Sequence, residues 1–209
     1  PVRLYYIGSA FRYERPQAGR YRQHHQFGCE ALGDPSASLD VEVIELALRF
    51  LGSLGLQELT VVLNSIGCRE CQPGYVQVLR EYYKPHVAEV CDDCRVRMVK
   101  NPMRLLDCKE KSCRPIIDQA PHISDHLCPD CEAHFAEVKA QLAALGVGYT
   151  LNHRLVRGLD YYTRTVFEIQ PKREGGQSAI VGGGRYDGLI EAIGGKPTPG
   201  VGFAMGMER

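Results

Sequence analysis

Phe11-Arg-Tyr-Glu-Arg-Pro-Gln-Ala-Gly-Arg-Tyr-Arg-Gln-His-His-Gln-Phe-Gly-Cys-Glu30 sets Arg12, Arg15, Arg20 and Arg22 around a Pro-Gln-Ala-Gly turn. Apolar, strand-like residues lie on either side, at 4–7 and 27–32. The pattern predicts a long hairpin with a cationic mouth. Guanidinium groups held at fixed distances bind phosphate or carboxylate through bidentate, charge-assisted hydrogen bonds of about 1.5–3 kcal/mol each. Charge alone would favour a solvated basic turn. Leu4, Tyr6 and Phe27 are expected to build the hairpin's core.

The 209 residues suffice for one or two domains, and 25 basic against 25 acidic side chains leave no net charge. Nonspecific coating of nucleic acid is therefore disfavoured, and any RNA contact should come from a local patch such as the hairpin mouth. No apolar run approaches the roughly 20 residues of a membrane span, and no signal pattern opens the chain, so a cytoplasmic location is expected. The opening Pro1-Val-Arg-Leu-Tyr-Tyr-Ile7 reads as the middle of a strand, and the chain stops directly after a Gly-punctuated apolar segment. A piece of a longer protein is expected.

Eight of the nine cysteines fall between positions 68 and 131, in close pairs: Cys68 with Cys71, Cys91 with Cys94, Cys108 with Cys113, Cys128 with Cys131. Such spacing lets two thiolates of one loop reach the same tetrahedral ion, whereas disulfides are disfavoured in a reducing compartment. Structural zinc is the expectation, with reduced thiols in a small subdomain as the alternative. Four pairs combine into two sites in three ways, and spacing does not choose among them. Isolated Cys29 is expected in the core. A thioredoxin-like redox role lacks its βαβ surroundings.

Val43, Ile44, Ala47, Leu48, Leu51 and Leu54 recur at helical spacing, with Ser38 a candidate N-cap and Gly52 and Gly55 ending the helix. Residues 59–63 read as a buried strand. A cysteine-rich insertion at 67–132, with short helices such as 75–83, separates residues 1–66 from 133–209. A second amphipathic helix carries Phe135, Val138, Leu142 and Leu145. Strand-like segments follow at 149–151, 166–169 and 179–181. The fold class is α+β.

Leu155-Val-Arg-Gly-Leu-Asp-Tyr-Tyr-Thr163 places Arg157 before a glycine and Asp160 before two tyrosines, and Val181-Gly-Gly-Gly-Arg-Tyr-Asp-Gly188 is a glycine-rich strand and turn. Glycine lets backbone approach a ligand closely, although it also solves tight packing. Gly200-Val-Gly-Phe-Ala-Met-Gly-Met-Glu-Arg209 is not the dinucleotide fingerprint, and Gly194-Gly-Lys-Pro197 is not a P-loop.

Together these stretches resemble the histidyl-tRNA synthetases of class II. Phe-Arg-x-Glu with the arginines and glutamines that follow resembles motif 2, Arg-Gly-Leu-Asp-Tyr-Tyr the family's histidine signature, and the closing segment motif 3. The resemblance implies an antiparallel class II sheet flanked by helices. It also implies ATP as substrate with Mg2+, L-histidine and tRNA(His) as partners, and a homodimer in the full-length protein. Carried over residue by residue, Arg12 would grip the α-phosphate, Glu14 the adenine amino group, Arg20 the β- and γ-phosphates, and Arg209 the adenine and γ-phosphate. Gln26 and Glu30 would hold the carboxylate and ammonium of histidine, Tyr161 and Tyr162 would line its pocket, and the glycine-rich stretch would floor it. Arg157 would stabilise the transition state. The rival implied by the same family is a noncatalytic regulatory subunit of ATP phosphoribosyltransferase, which typically degrades the motif 2 and motif 3 arginines retained here. A zinc-stabilised RNA-binding module is opposed by the neutral charge.

Overall fold

The computed structural model describes residues 1–13, 21–158, 160–172 and 179–209. In chain order the elements are β1 (Val2–Phe11), β2 (Gln23–Leu32), α1 (Ala37–Ser53), β3 (Leu59–Ser65), α2 (Cys71–Tyr83), α3 (Asp92–Lys100), α4 (Arg114–Asp118), α5 (Pro129–Ala144), β4 (Tyr149–Leu151), β5 (Thr163–Pro171), β6 (Val181–Arg185), α6 (Leu189–Ala192) and β7 (Gly200–Gly206). The seven strands form one sheet in the order β1-β2-β7-β6-β5-β3-β4, antiparallel except for the β3–β4 pair.

The two strands of the predicted hairpin pair; its turn at 14–20, with Arg15 and Arg20, lies outside the described residues. β1 runs against β2 with Val2 opposite Leu32 and Phe11 opposite Gln23, and the Arg12 N–H donates to the Arg22 carbonyl at 2.8 Å. Its core differs from expectation. β1 is an edge strand with one neighbour, so Leu4 and Tyr6 stay 54% and 41% exposed. Phe27 on β2 does pack inward, stacking on Phe50 at 4.6 Å.

Period-two alternation divides the sheet into two faces. Ala31, Val61, Leu63, Phe167, Ile169, Val181, Val201 and Phe203 point to one face, where α1 and α5 cover them with Val43, Ile44, Ala47, Leu51, Val138 and Leu142. Cys29 packs at the edge of this core, half-buried. Val62 and Val166 point the other way, into a second core formed with Tyr75, Leu79, Tyr83, Leu105, Ile117 and Ile123. The cysteine-rich segment thus docks on the β3–β5 part of that second face and leaves the β2–β7–β6 part uncovered.

Two sequence expectations shift. Ser36, not Ser38, is the N-cap of α1, with extended backbone at ψ 148°. Ser38 lies inside the first turn, and its hydroxyl accepts a hydrogen bond from Gln141 at 3.0 Å. β6 begins at Val181 and runs on through three glycines to Arg185, where periodic apolar signal is missing. Glycine is depleted in strands because it packs no side chain, so this strand is invisible to propensity and is held by its neighbours β5 and β7.

Candidate active site

Register builds the uncovered face in rows. One row reads Tyr6, Gly28, Ala204, Gly182, Glu168 across β1, β2, β7, β6 and β5; the next reads Leu4, Glu30, Gly202, Gly184, Val166. Small residues form the floor, and large polar side chains lie over it. A Cβ on Gly182 would stand 2.4 Å from the Arg157 guanidinium, and one on Gly202 would overlap the Glu30 carboxylate. The Tyr6 ring covers Gly28 in the same way. Only glycine gives these charged groups room to lie flat on the sheet.

Glu30 is half-buried and accepts a hydrogen bond from the Tyr186 hydroxyl. Burial raises its carboxyl pKa, against the lowering effect of that bond. Gln26, four residues earlier, lies on the same face opposite Gly8 and Gly206. Tyr161, Tyr162 and Tyr186 cluster with centroids 4.6–6.5 Å apart. Burial raises the hydroxyl pKa of Tyr161 and Tyr186, so both remain neutral donors. Arg157 donates to Glu168 at 2.8 Å and lies 5.8 Å from the Tyr162 ring centre. Among the described residues its buried Nε finds no acceptor, a donor that an anion would satisfy.

Arg12 and Arg157 share a cleft of about 1050 Å³ that extends under the cysteine-rich segment. Its other cations are Arg97, Arg104, Lys109, Arg114 and Arg154, against Asp93, Asp107, Glu110 and Glu168. Arg209 lies apart from this cleft lining, donating to the Ala179 carbonyl at 3.2 Å, while its neighbour Glu208 pairs with His25 on β2 at 2.9 Å. Glu14 and Arg20 lie outside the described residues.

The glycine-rich stretch splits between faces. Gly182, Gly184 and Tyr186 face the site, whereas Gly183 packs on Phe167 and Arg185 is fully buried beneath. Arg185 binds Asp40 of α1 at 2.8 Å through Nε, Asp187 at 3.0 Å and the carbonyls of Asp34 and Ser36. Burial would lower the Arg185 pKa, but Asp40 and Asp187 more than offset it, so the guanidinium stays charged. Removing one member of such a buried pair costs about 3–5 kcal/mol. This network, Tyr6 and Glu168 escaped the sequence reading. A charged Glu168 inside the apolar run Val166-Phe-Glu-Ile169 was the available signal for a residue pointing away from the core.

The cysteines resolve into two clusters, Cys68–Cys71–Cys128–Cys131 and Cys91–Cys94–Cys108–Cys113, with the sulfurs of each within 4.8 Å of one another. Sulfur separations of 3.7 Å (Cys68 to Cys71), 3.8 Å (Cys68 to Cys128) and 3.7 Å (Cys91 to Cys108) exclude disulfides at those pairs. They match the edge of about 3.8 Å expected for a tetrahedron with Zn–S of about 2.3 Å. Backbone N–H groups of Cys128 and Cys91 donate to Cys71 and Cys113 at 3.1 and 3.2 Å, as second-shell donors to thiolates do. Burial opposes ionisation of Cys71, yet backbone hydrogen bonds bring its thiol down to about 7.

A largely antiparallel sheet flanked by helices, with an arginine-bearing hairpin beside a glycine floor, has the class II synthetase-like architecture. The histidyl-tRNA synthetase family model matches residues 1–70 and 109–209, and the chain belongs to that family. It is 59% identical over its whole length to a histidine–tRNA ligase of Dehalococcoides mccartyi and 54% identical to that of Desulforamulus reducens. It spans half the length of each of these relatives. The crystal structure of apo Staphylococcus aureus histidyl-tRNA synthetase superimposes with a TM-score of 0.76 at 40% identity, covering all of this chain and 50% of that one. A Bacillus halodurans protein described as an ATP phosphoribosyltransferase regulatory subunit/histidyl-tRNA synthetase gives 0.65 at 25% identity, covering all of this chain and 57% of that one. Residues 71–108 lie outside the family match.

Proposed function

We propose that this chain contributes the catalytic face of a histidine–tRNA ligase, which joins histidine to ATP and passes the histidyl group to tRNA(His). The observation that carries the reading is one glycine-floored face holding a half-buried carboxylate, Glu30, and a guanidinium, Arg157, whose buried Nε has no acceptor among the described residues. A zwitterionic amino acid needs both signs at this separation of rows. Glu30 and Gln26 hold the ammonium and carboxylate ends, and Tyr161 and Tyr162 flank the side chain. The carboxylate oxygen attacks the α-phosphorus, the bond to the β-phosphate oxygen breaks, and pyrophosphate leaves. Arg12 and Arg157 neutralise charge on the phosphoryl oxygens as it develops, so catalysis is positioning plus preorganised positive charge. Glu14, Arg20 and Arg209 complete the ATP site as the resemblance implies.

ATP brings Mg2+, which supplies further phosphate neutralisation when bound. The two tetrathiol clusters fit structural Zn2+. The cationic cleft supports an approach for the tRNA acceptor end. One core joining 1–66 with 133–209, and a second gathering 67–132 against Val62, Leu155 and Val166, support the division at 1–66, 67–132 and 133–209. Exposed Leu4, Tyr5 and Ile7 on β1 support a further covering surface, consistent with a homodimer of the full-length protein. Among the described residues no helix is long and apolar enough to cross a membrane, which suits a cytoplasmic enzyme of translation. Retention of Arg12 and Arg209 favours the ligase over the regulatory subunit.

Histidine-dependent exchange of pyrophosphate into ATP by the full-length protein tests the reading. Histidine binding with no exchange would instead support the regulatory role.

A further inference from the structure

The first cysteine cluster sits where the polypeptide leaves β3 and re-enters α5, and its knuckle touches both loops of the candidate site. The Ile66 N–H donates to the Arg164 carbonyl at 2.8 Å, and the Arg164 N–H returns to the Gly67 carbonyl at 2.6 Å. These two bonds pin a bulge in β5, where Arg164 takes a left-handed φ of 53°, immediately after the signature Tyr161-Tyr162. Inside the knuckle, Gln72 donates to the Tyr162 carbonyl at 3.4 Å. Arg69 donates to the Gly188 carbonyl at 3.3 Å and pairs with Glu191 at 3.2 Å, beside the turn that follows Tyr186. A Cβ on Gly188 would meet that guanidinium at 2.2 Å, so the turn is shaped to receive it.

We propose that Cys68, Cys71, Cys128 and Cys131 form a tetrathiolate zinc site that holds Arg69 and Gln72 as positioning residues for the amino-acid pocket. The proposal rests on the zinc and histidine-activation readings above and adds a role for one of the two clusters. An ion at the knuckle would fix the directions of residues 69 and 72 because both lie within one residue of a ligand. Those side chains in turn locate Tyr162 from one side and the Tyr186 turn from the other. Tyr186 is the hydrogen-bond donor to Glu30. Among the described residues the second cluster makes no such hydrogen bond; Cys108 instead lines the cationic cleft.

Removing a cysteine risks misfolding, so the test uses Arg69→Ala and Gln72→Ala in the full-length protein. Metal analysis should find two zinc ions per chain in the wild type and in both variants. In pyrophosphate exchange, each variant should raise KM for histidine about five-fold or more, as expected when a pocket group is displaced by a fraction of an ångström, while KM for ATP stays within about two-fold. Fewer than two zinc ions in wild-type protein prepared without chelator would overturn the metal assignment. Unchanged KM for histidine in Arg69→Ala, or an equal rise in KM for ATP, would overturn the positioning role in an active enzyme. Wild-type protein without histidine-dependent exchange would overturn the functional reading itself, and the positioning role with it.

Discussion

Arg157 lies over Gly182 with Glu168 at one end of its guanidinium and, at the other, an Nε that no described residue accepts from. A cation so held is preorganised for a phosphoryl or carboxylate oxygen arriving from the cleft. Truncation to alanine in the full-length protein should slow adenylate formation about 10²–10³-fold, the cost of about 2.7–4 kcal/mol for one lost transition-state donor, with little change in ATP binding. Single-turnover adenylation measures it, and an unchanged rate removes Arg157 from the mechanism. Glu30 has a different task. Glu30→Gln keeps the shape and the Tyr186 contact but drops the charge that an ammonium needs. KM for histidine should rise about 10-fold or more, the equivalent of a charged hydrogen bond of about 1.5–3 kcal/mol, while KM for ATP holds. Equal loss of ATP affinity would instead assign Glu30 to the phosphate side of the hairpin.

β6 is the element on which the two faces of the sheet meet within three residues. Gly182 faces the site and Gly183 faces the core, so adding one methyl group to each should give opposite phenotypes. In Gly182→Ala the clash is with the far end of the Arg157 side chain, which can swing aside. Activity should fall about 10-fold or more with the melting temperature nearly unchanged, since small displacements of a catalytic group are costly in rate. In Gly183→Ala the new Cβ meets the Gly202 carbonyl at 2.5 Å and the Phe167 ring at 2.6 Å, both fixed by the sheet. Overpacking of this kind costs about 1–3 kcal/mol, visible as a lower urea midpoint. Equal melting losses in the two variants would mean that the strand does not separate site from core in this way.

At the scale of the whole molecule, α5 and α1 clamp the sheet, and His134 of α5 is buried where they meet the Asp40–Arg185 network, 3.4 Å from Asp40. Burial lowers the His134 pKa to about 4, with the Arg185 and Arg164 charges acting in the same direction and Asp187 and Glu137 opposing. The unfolded chain takes up this proton below about 6.5 and the folded chain only near 4. The neutral histidine therefore contributes its full stability above pH 6.5. That contribution is lost as pH falls toward the folded value, at up to about 1.4 kcal/mol per pH unit. Urea denaturation between pH 7 and 4.5 should show a steeper loss for wild type than for His134→Gln. Parallel curves would mean that His134 is protonated in the fold.

The elements whose signal is local were legible from the chain alone. The hairpin strands, α1, β3 and α5 each carry their periodicity within a few turns or pleats, and the paired cysteines mark a candidate ligand set by spacing. Motif residues such as Arg12, Glu30 and Arg157 were named as candidates before any coordinates. Cysteine pairing was not, because Cys68 meets Cys128 across 60 residues, nor was the split of β6 between two faces, since its glycines carry no periodic signal. Tyr186 reaches Glu30 across 156 residues, and Arg157 finds Gly182 on a neighbouring strand. Contacts of that kind depend on strand order and register, which hydrogen bonding among five strands decides jointly. The sequence alone named the candidate groups; the tertiary structure decided which of them share a face.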